Sequence, residues 1–287
     1  MTVRQLPFVF LPRTQSWNPE KPEFAHIVNA ASLAMPYLEP YLIKSMRRAR
    51  PLINDAALQA ELDQYVKQEA THYRRHKAFN DTLSDRGYRC VRAMEDKLAD
   101  DYAKLESKRS LKFNLAYAEG FESMALAIGE MLIEDREYLF GHSDSAVASL
   151  ILWHFVEEIE HKNVAFDVFH HVYGSYFWRI FGLLYATSHI FWRTGQGYRA
   201  LLKEDGLWKS FHSRWRLLKV LGRVLGNITP RWLRILRPGY HPKHIKDPRW
   251  GVAWAAAFES GPENMAQLDT DRLREDLPVG KNQSTSS

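Results

Sequence analysis

The amino-acid sequence predicts an all-α protein, a four-helix bundle with additional C-terminal helices. Three observations predict it. Apolar residues recur at alternating steps of three and four over long stretches, the period of a helix face turned toward a core. No strand-rich region accompanies them. Two of the periodic stretches carry a Glu and a His three residues apart within the apolar seam, Glu69 with His72 and Glu158 with His161.

The chain has 287 residues, 45% of them hydrophobic and 25% charged, enough for one large domain or a domain with an extension. Its single cysteine, Cys90, excludes an intrachain disulfide and a cysteine-based zinc site, and a reducing, cytoplasmic setting is the expectation. The N-terminal apolar patch is too short and proline-broken for a signal peptide. Charge is uneven. Residues 201–250 hold twelve Lys and Arg against Glu204, Asp205 and Asp247, so the remainder is slightly acidic. Such a region suits an anionic surface, a membrane or nucleic acid, or else a solvated helix face with snorkelling side chains.

Residues 1–20 read as an extended segment with Pro7, Pro12 and Pro19. The four-helix unit is expected over 21–175. Its first helix runs from Pro22 to Arg50, with a kink or break where Pro36 and Pro40 interrupt the pattern. The second spans Asp55 to Asp85 and stops at Gly87. Residues 92–108 are charged and form a surface helix or connector. The third spans Leu111 to Phe140, with Gly141 as its stop. The fourth, capped by Ser143 or Asp144, runs to Tyr173. An aromatic and basic extension is expected over 176–240. The aromatic run Tyr173–Trp192 approaches the length of a membrane span, but Arg179 and His189 interrupt it, so a buried helix against the bundle is favoured. Residues 241–287 are expected to be irregular, with a disordered tail from Val279.

The chemistry lies in the seams. In the fourth helix His154, Glu158 and His161 fall at i, i+4 and i+7, one stripe over two turns. A carboxylate and two imidazoles in an apolar seam are costly unless paired or metal-bound. The second helix repeats the pattern with Glu69, His72 and His76. The first offers Glu39, and the third offers Glu119 and Glu122 on a shared face. One Glu from each of two helices plus Glu-x-x-His from each of the other two is the pattern of a di-metal carboxylate centre. A mixed O/N shell suits iron, with manganese or zinc as the other options. A single Glu-x-x-His means little among 19 Glu and 12 His; two on separate long helices mean more. The expected ligands are Glu39, Glu69, His72, Glu119, His154, Glu158 and His161. Glu119 is preferred to Glu122. His76, Glu122 and Asp167 are the residues that would support the ligands or replace one of them. Glu157 and Glu160 fall off the seam, toward solvent or a neighbouring Arg.

The runs Gln68-Glu-Ala-Thr-His72-Tyr-Arg-Arg-His76 and Trp153 to Val168, with Trp17-Asn18-Pro19 and the segment Pro36–Ser45 around Glu39, resemble the bacterial family labelled predicted metal-dependent hydrolase. The resemblance covers about residues 8 to 240 and departs from the family pattern at Pro40. It implies a ferritin-like four-helix bundle whose substrates are largely unknown. The His154, Glu158, His161 spacing is also similar to the last ligand helix of the di-iron aminobenzoate N-oxygenases. There an extra imidazole joins the site, which implies the seven-ligand set.

Three functions are compatible with this pattern. The favoured one is O2-activating oxidation of a hydrophobic or aromatic small molecule, with the aromatic run walling a pocket. The second is hydrolysis by a metal-bridging water. The third is a non-catalytic metal-binding bundle. Peripheral contact with a membrane or other anionic surface through residues 201–250, and a homodimer, are compatible with each.

Overall fold

A computed structural model describes residues 1–11 and 16–281. The fold is all-α among them. A break at Leu33–Ala34 separates α1 (Pro22–Ser32) from α2 (Met35–Ala49), because Pro36, in the first turn of α2, has no N–H to continue the first helix. The chain runs helically through Pro40. Next come α3 (Ala56–Asp85), α4 (Cys90–Lys108), α5 (Leu111–Glu134) and α6 (Arg136–Phe140). They are followed by α7 (Ser145–Glu160), α8 (Val164–Val172), α9 (Tyr176–Glu204) and α10 (Phe211–Ile235). Two short C-terminal helices, α11 (Arg249–Ser260) and α12 (Pro262–Met265), complete the chain.

Local chemistry starts and stops these helices. Asp55, Ser110, Asp144, Ser175 and Ser210 each accept a backbone N–H from the first turn of α3, α5, α7, α9 and α10. Gly87, at φ +90°, reverses the chain after α3.

Four legs, α2, α3, α5 and the pair α7–α8, pack around one centre. α3 and α7 run antiparallel: His76 meets His154, His72 meets Glu157, and Gln68 meets His161. Two expected helices are interrupted. The third breaks at Asp135, whose carboxylate Arg223 takes. The fourth breaks over His161–Asn163 although neither proline nor glycine marks the place; His161 still donates its N–H to Glu157 and accepts from Val164.

α9 is the outer helix most closely applied to the bundle. Its Gly182 lies against Ala116 and Gly120 of α5, so close that an added Cβ at Gly182 would sit 1.9 Å from the Ala116 carbonyl oxygen. Small residues are the only means of so close a crossing. α9 is buried on this one face and exposed on the other, so it is half the buried helix expected. No described helix is long and apolar enough to cross a membrane.

α10 lies beside α9 and antiparallel to it. Arg179 donates to the Ile235 and Arg237 carbonyls, Trp232 meets Thr187, and Arg214 meets Tyr198. Much of the basic charge of α10 faces inward. Arg216, Arg223, Arg231 and Arg234 pair with Glu23, Asp135, Glu134 and Glu130 and fasten the helix to α1, α5 and the α5–α6 junction.

The two ends of the chain are more ordered than expected. Residues 1–10 are extended but packed along α3 and α7: Leu6 is buried, Phe8 stacks obliquely on Trp153, and Phe10 meets Phe79 edge-on. Pro12 lies outside the described residues. The C-terminal region contains the twelve-residue α11, which forms because Trp250 and Trp254, one turn apart, bury together with Gly251 against Ile133 and Val156. Val279 to Lys281 are tied back to residues 267–269 by backbone hydrogen bonds, and 282–287 lie outside the described residues.

Candidate metal centre

α3 brings Glu69, His72 and His76 to the centre of the bundle. α7 brings His154 and Glu158, with His161 as its C-terminal cap. α2 adds Glu39 and α5 adds Glu122. All are buried. Their ligand atoms form overlapping groups, each lying within 4.8 Å of one another: Glu69, Glu122, Glu158 and His161; Glu39, Glu69 and His72; His72, His154 and Glu158; and Glu39, His76 and His154. Glu69 and Glu158 each belong to two groups and link them.

These atoms fit a metal because nothing else satisfies them. Both oxygens of Glu39 and Glu69, one each of Glu122 and Glu158, Nδ1 of His72 and Nε2 of His161 are buried without a hydrogen-bond partner among the described residues. Buried polar atoms are normally paired, and so many orphans converging on one spot mark a cation site.

Each imidazole is aimed by a partner behind it. His72 donates Nε2–H to Glu157 at 3.0 Å, which leaves Nδ1 facing Glu69 and Glu158, both at 3.5 Å. Gln68 donates its amide N–H to the Thr2 carbonyl and to Glu160, so its oxygen is free to accept from His161 Nδ1 at 3.1 Å. The Nε2 of His161 then faces Glu69 and Glu158 at 3.3 Å and Glu122 at 3.6 Å.

His154 is aimed by a longer chain. Asn80 donates N–H to the Ser32 carbonyl, so its oxygen accepts from the Ser32 hydroxyl at 2.6 Å. That hydroxyl accepts from His76 Nδ1 at 2.8 Å. His76 Nε2 is then a lone pair and accepts from His154 Nδ1 at 2.8 Å. The chain ends with the lone pair of His154 Nε2 only 3.1 Å from a Glu158 oxygen. Two acceptors face each other there, a place for a cation. Burial depresses both His76 and His154 below the usual range, in keeping with neutral rings.

The electrostatics are those of an overcrowded anionic site. Burial and the neighbouring Glu69 push Glu39 well up, and burial and Glu158 push Glu122 well up. Burial works against charge on His72 and His161, yet the surrounding carboxylates hold both far above the ordinary imidazole value. Glu158 is held low against its burial by His161 and His154.

Three placements differ from expectation. Glu122 joins the cluster, and Glu119 does not. Glu119 sits one turn away on the α9 side of α5, where it accepts from Ser123 at 2.9 Å and lies 3.9 Å from Arg179. Seam periodicity cannot separate two residues only 60° apart on one helix. Asp167 lies outside the cluster, half-buried and 3.1 Å from His241, because the break at His161–Asn163 turns α8 away from the line of α7. Glu157 is buried and holds His72, and its Arg is Arg4 of the N-terminal segment, which also binds Glu160. Arg4, Gln68, Ser32, Asn80 and Tyr65, which donates to Glu122 at 2.7 Å, carry no role in the sequence reading. Only Gln68 had a visible signal, its position beside Glu69. A cavity of about 210 Å³ opens between α7 and α11, beside Val156, Ile159 and Glu160. It is lined by Glu160, which accepts from Gln68 and Arg4, and the aromatic run does not wall it.

No curated protein sequence and no solved structure matches this chain. The profile of one family, predicted metal-dependent hydrolase, matches residues 2–246, which include nearly all of the extended N-terminal strap (residues 1–10), all four legs and the outer helices α9 and α10. With that span covered and a buried carboxylate–histidine cluster at its centre, the chain belongs to the predicted metal-dependent hydrolase family.

Proposed function

We propose that the centre would hold two metal ions and that it oxidises a hydrophobic or aromatic small molecule with O2. Glu39, Glu69, His72, Glu122, His154, Glu158 and His161 would hold them. What carries the reading is the set of orphaned ligand atoms on six side chains from four legs, with His154 Nε2 within reach of them, a mixture of oxygen and nitrogen donors. A pair of ferrous ions would supply two of the four electrons that reduce O2 to water, the substrate or an external reductant the other two. The protein's part is to hold three imidazoles by their far nitrogens and to exclude bulk water with Trp153 and Tyr65. Tyr65, hydrogen-bonded to Glu122, can steady that carboxylate as its charge is shared with an ion.

A second reading is hydrolysis, favoured by the description of the family. A paired site of redox-inert ions would supply an activated water.

The test is metal analysis of protein purified without added metal. About two transition ions per chain are expected, and His72→Ala or His161→Ala should lose them. Anaerobic reduction of the iron-loaded protein, followed by O2, should give a transient visible absorption band. Zinc-only protein that stays silent under O2 and cleaves ester substrates would replace the first reading with the second.

A further inference from the structure

We propose that the outer face of α9 and α10 is a docking surface for an anionic phospholipid bilayer, on which the protein lies without crossing it. The surface is remote from the metal cluster and stands independently of it. On α9, Phe177, Phe181, Leu184, Phe191 and Trp192 fall at helical spacing along one stripe, and all are exposed, Phe177 by 83% and Trp192 by 66%. On α10, Phe211, Trp215, Leu218, Leu225 and Leu233 form a second exposed stripe at steps of four, three, seven and eight, with Phe211 exposed by 84%. Side-chain contacts connect the two helices, and each stripe lies on the exposed side of its helix. Soluble proteins seldom leave so many large apolar side chains together in water.

Charge decides the occupant. Between Tyr173 and Lys246 the only acids are Glu204 and Asp205. Both are turned to the start of α4 and its approach, Glu204 accepting from the Arg89 and Cys90 N–H groups and Asp205 from Tyr88 and facing His26. α9 and α10 therefore contribute no carboxylate to the apolar stripes. Its margins carry exposed Arg199, Lys203, Lys219 and Arg237, none in an ion pair among the described residues, whereas Arg216, Arg223, Arg231 and Arg234 of α10 are each paired. Arg199 lies over Trp208 and Lys219 over Trp215, the pairing of cation and amphipathic ring suited to a headgroup layer. A twofold contact with a second copy would set these cations against one another. An anionic headgroup layer neutralises them while the acyl boundary takes the aromatic stripe. Since no described helix is long and apolar enough to span, the contact is peripheral.

The experiment is flotation of the full chain with vesicles of phosphatidylcholine containing about 30% phosphatidylglycerol and with pure phosphatidylcholine, alongside sedimentation of the protein alone. Binding about tenfold stronger or more to the anionic vesicles is expected. It should be lost in Trp192→Ser/Phe211→Ser/Trp215→Ser. It should fall toward the phosphatidylcholine level in Arg199→Gln/Lys203→Gln/Lys219→Gln/Arg237→Gln. Unchanged thermal unfolding of both variants shows that the fold is intact. Absence of anionic-vesicle binding, equal binding to both vesicles, or binding unaffected in either variant overturns the proposal. So does a dimer that the apolar substitutions dissociate while vesicle binding stays absent.

Discussion

Glu119 and Glu122 differ by one turn of α5 and by everything that surrounds them. Glu122 faces Glu69, Glu158 and His161; Glu119 faces Ser123 and Arg179. Glu122→Gln should cost the protein bound metal, and Glu119→Gln should leave metal content unchanged, as elemental analysis of the two variants will read. Glu119 has its own consequence. Burial, only partly offset by Arg179 and Ser123, raises its carboxyl to about 7. The folded chain thus keeps a proton that the unfolded chain has lost above the ordinary value of 4.5. Its stabilising contribution is full below pH 4.5 and disappears as pH rises to about 7, an effect on the order of 3 kcal/mol. Wild-type protein should lose more stability than Glu119→Gln between pH 5 and 7.5, measured on matched metal-free samples by thermal unfolding. Glu157 acts one step behind the centre, by holding His72. Glu157→Gln should weaken metal affinity about tenfold with little change in fold, seen by metal titration and circular dichroism.

At the scale of elements, the crossing of α5 and α9 sets how far the outer layer stands from the bundle. Gly182 and Gly120 allow the two backbones to touch. Gly182→Ala would drive its Cβ into the Ala116 carbonyl, a backbone atom that cannot turn aside. A loss of about 3 kcal/mol or more is expected, read as a lowered midpoint in denaturant. The helices themselves were largely legible. Seam periodicity, the caps at Asp55 and Asp144, and the stop at Gly87 follow from local chemistry. The breaks at Asp135 and at His161–Asn163 were not, because no proline or glycine announces them. α11 was missed for a related reason: Trp250 and Trp254 say nothing of helix until there is a surface for them to cover.

At the scale of the whole molecule, metal and fold are one system. Glu39, Glu69, Glu122 and Glu158 meet in a dry core, and only cations or protons can offset them. Removal of metal by a chelator should lower stability. For metal at a hundredfold excess over its Kd the difference is about 2.7 kcal/mol, with an unfolding midpoint about 5–10 °C lower. Differential scanning calorimetry with and without metal will read it; a midpoint indifferent to chelation would count against a metal shared by four legs. The N-terminal strap belongs to the same system, since Arg4 and Thr2 hold the Glu157 and Gln68 that hold two of the imidazoles.

The sequence by itself determined the all-α class and the four seams, and it named six of the residues that the structure brings into the cluster: Glu39, Glu69, His72, His154, Glu158 and His161. It could do so because a helix converts spacing directly into direction, and because Glu-x-x-His puts two ligands on one face. Only the tertiary structure decided for Glu122 over Glu119, gave Arg4, Gln68 and the Asn80–Ser32–His76 chain their places behind the imidazoles, and divided the arginines of α10 from the unpaired cations at its margin. Those choices depend on which neighbour lies across a contact. Distances between helices, set by side-chain volumes and by glycines such as Gly182, are not written in the period of any one of them.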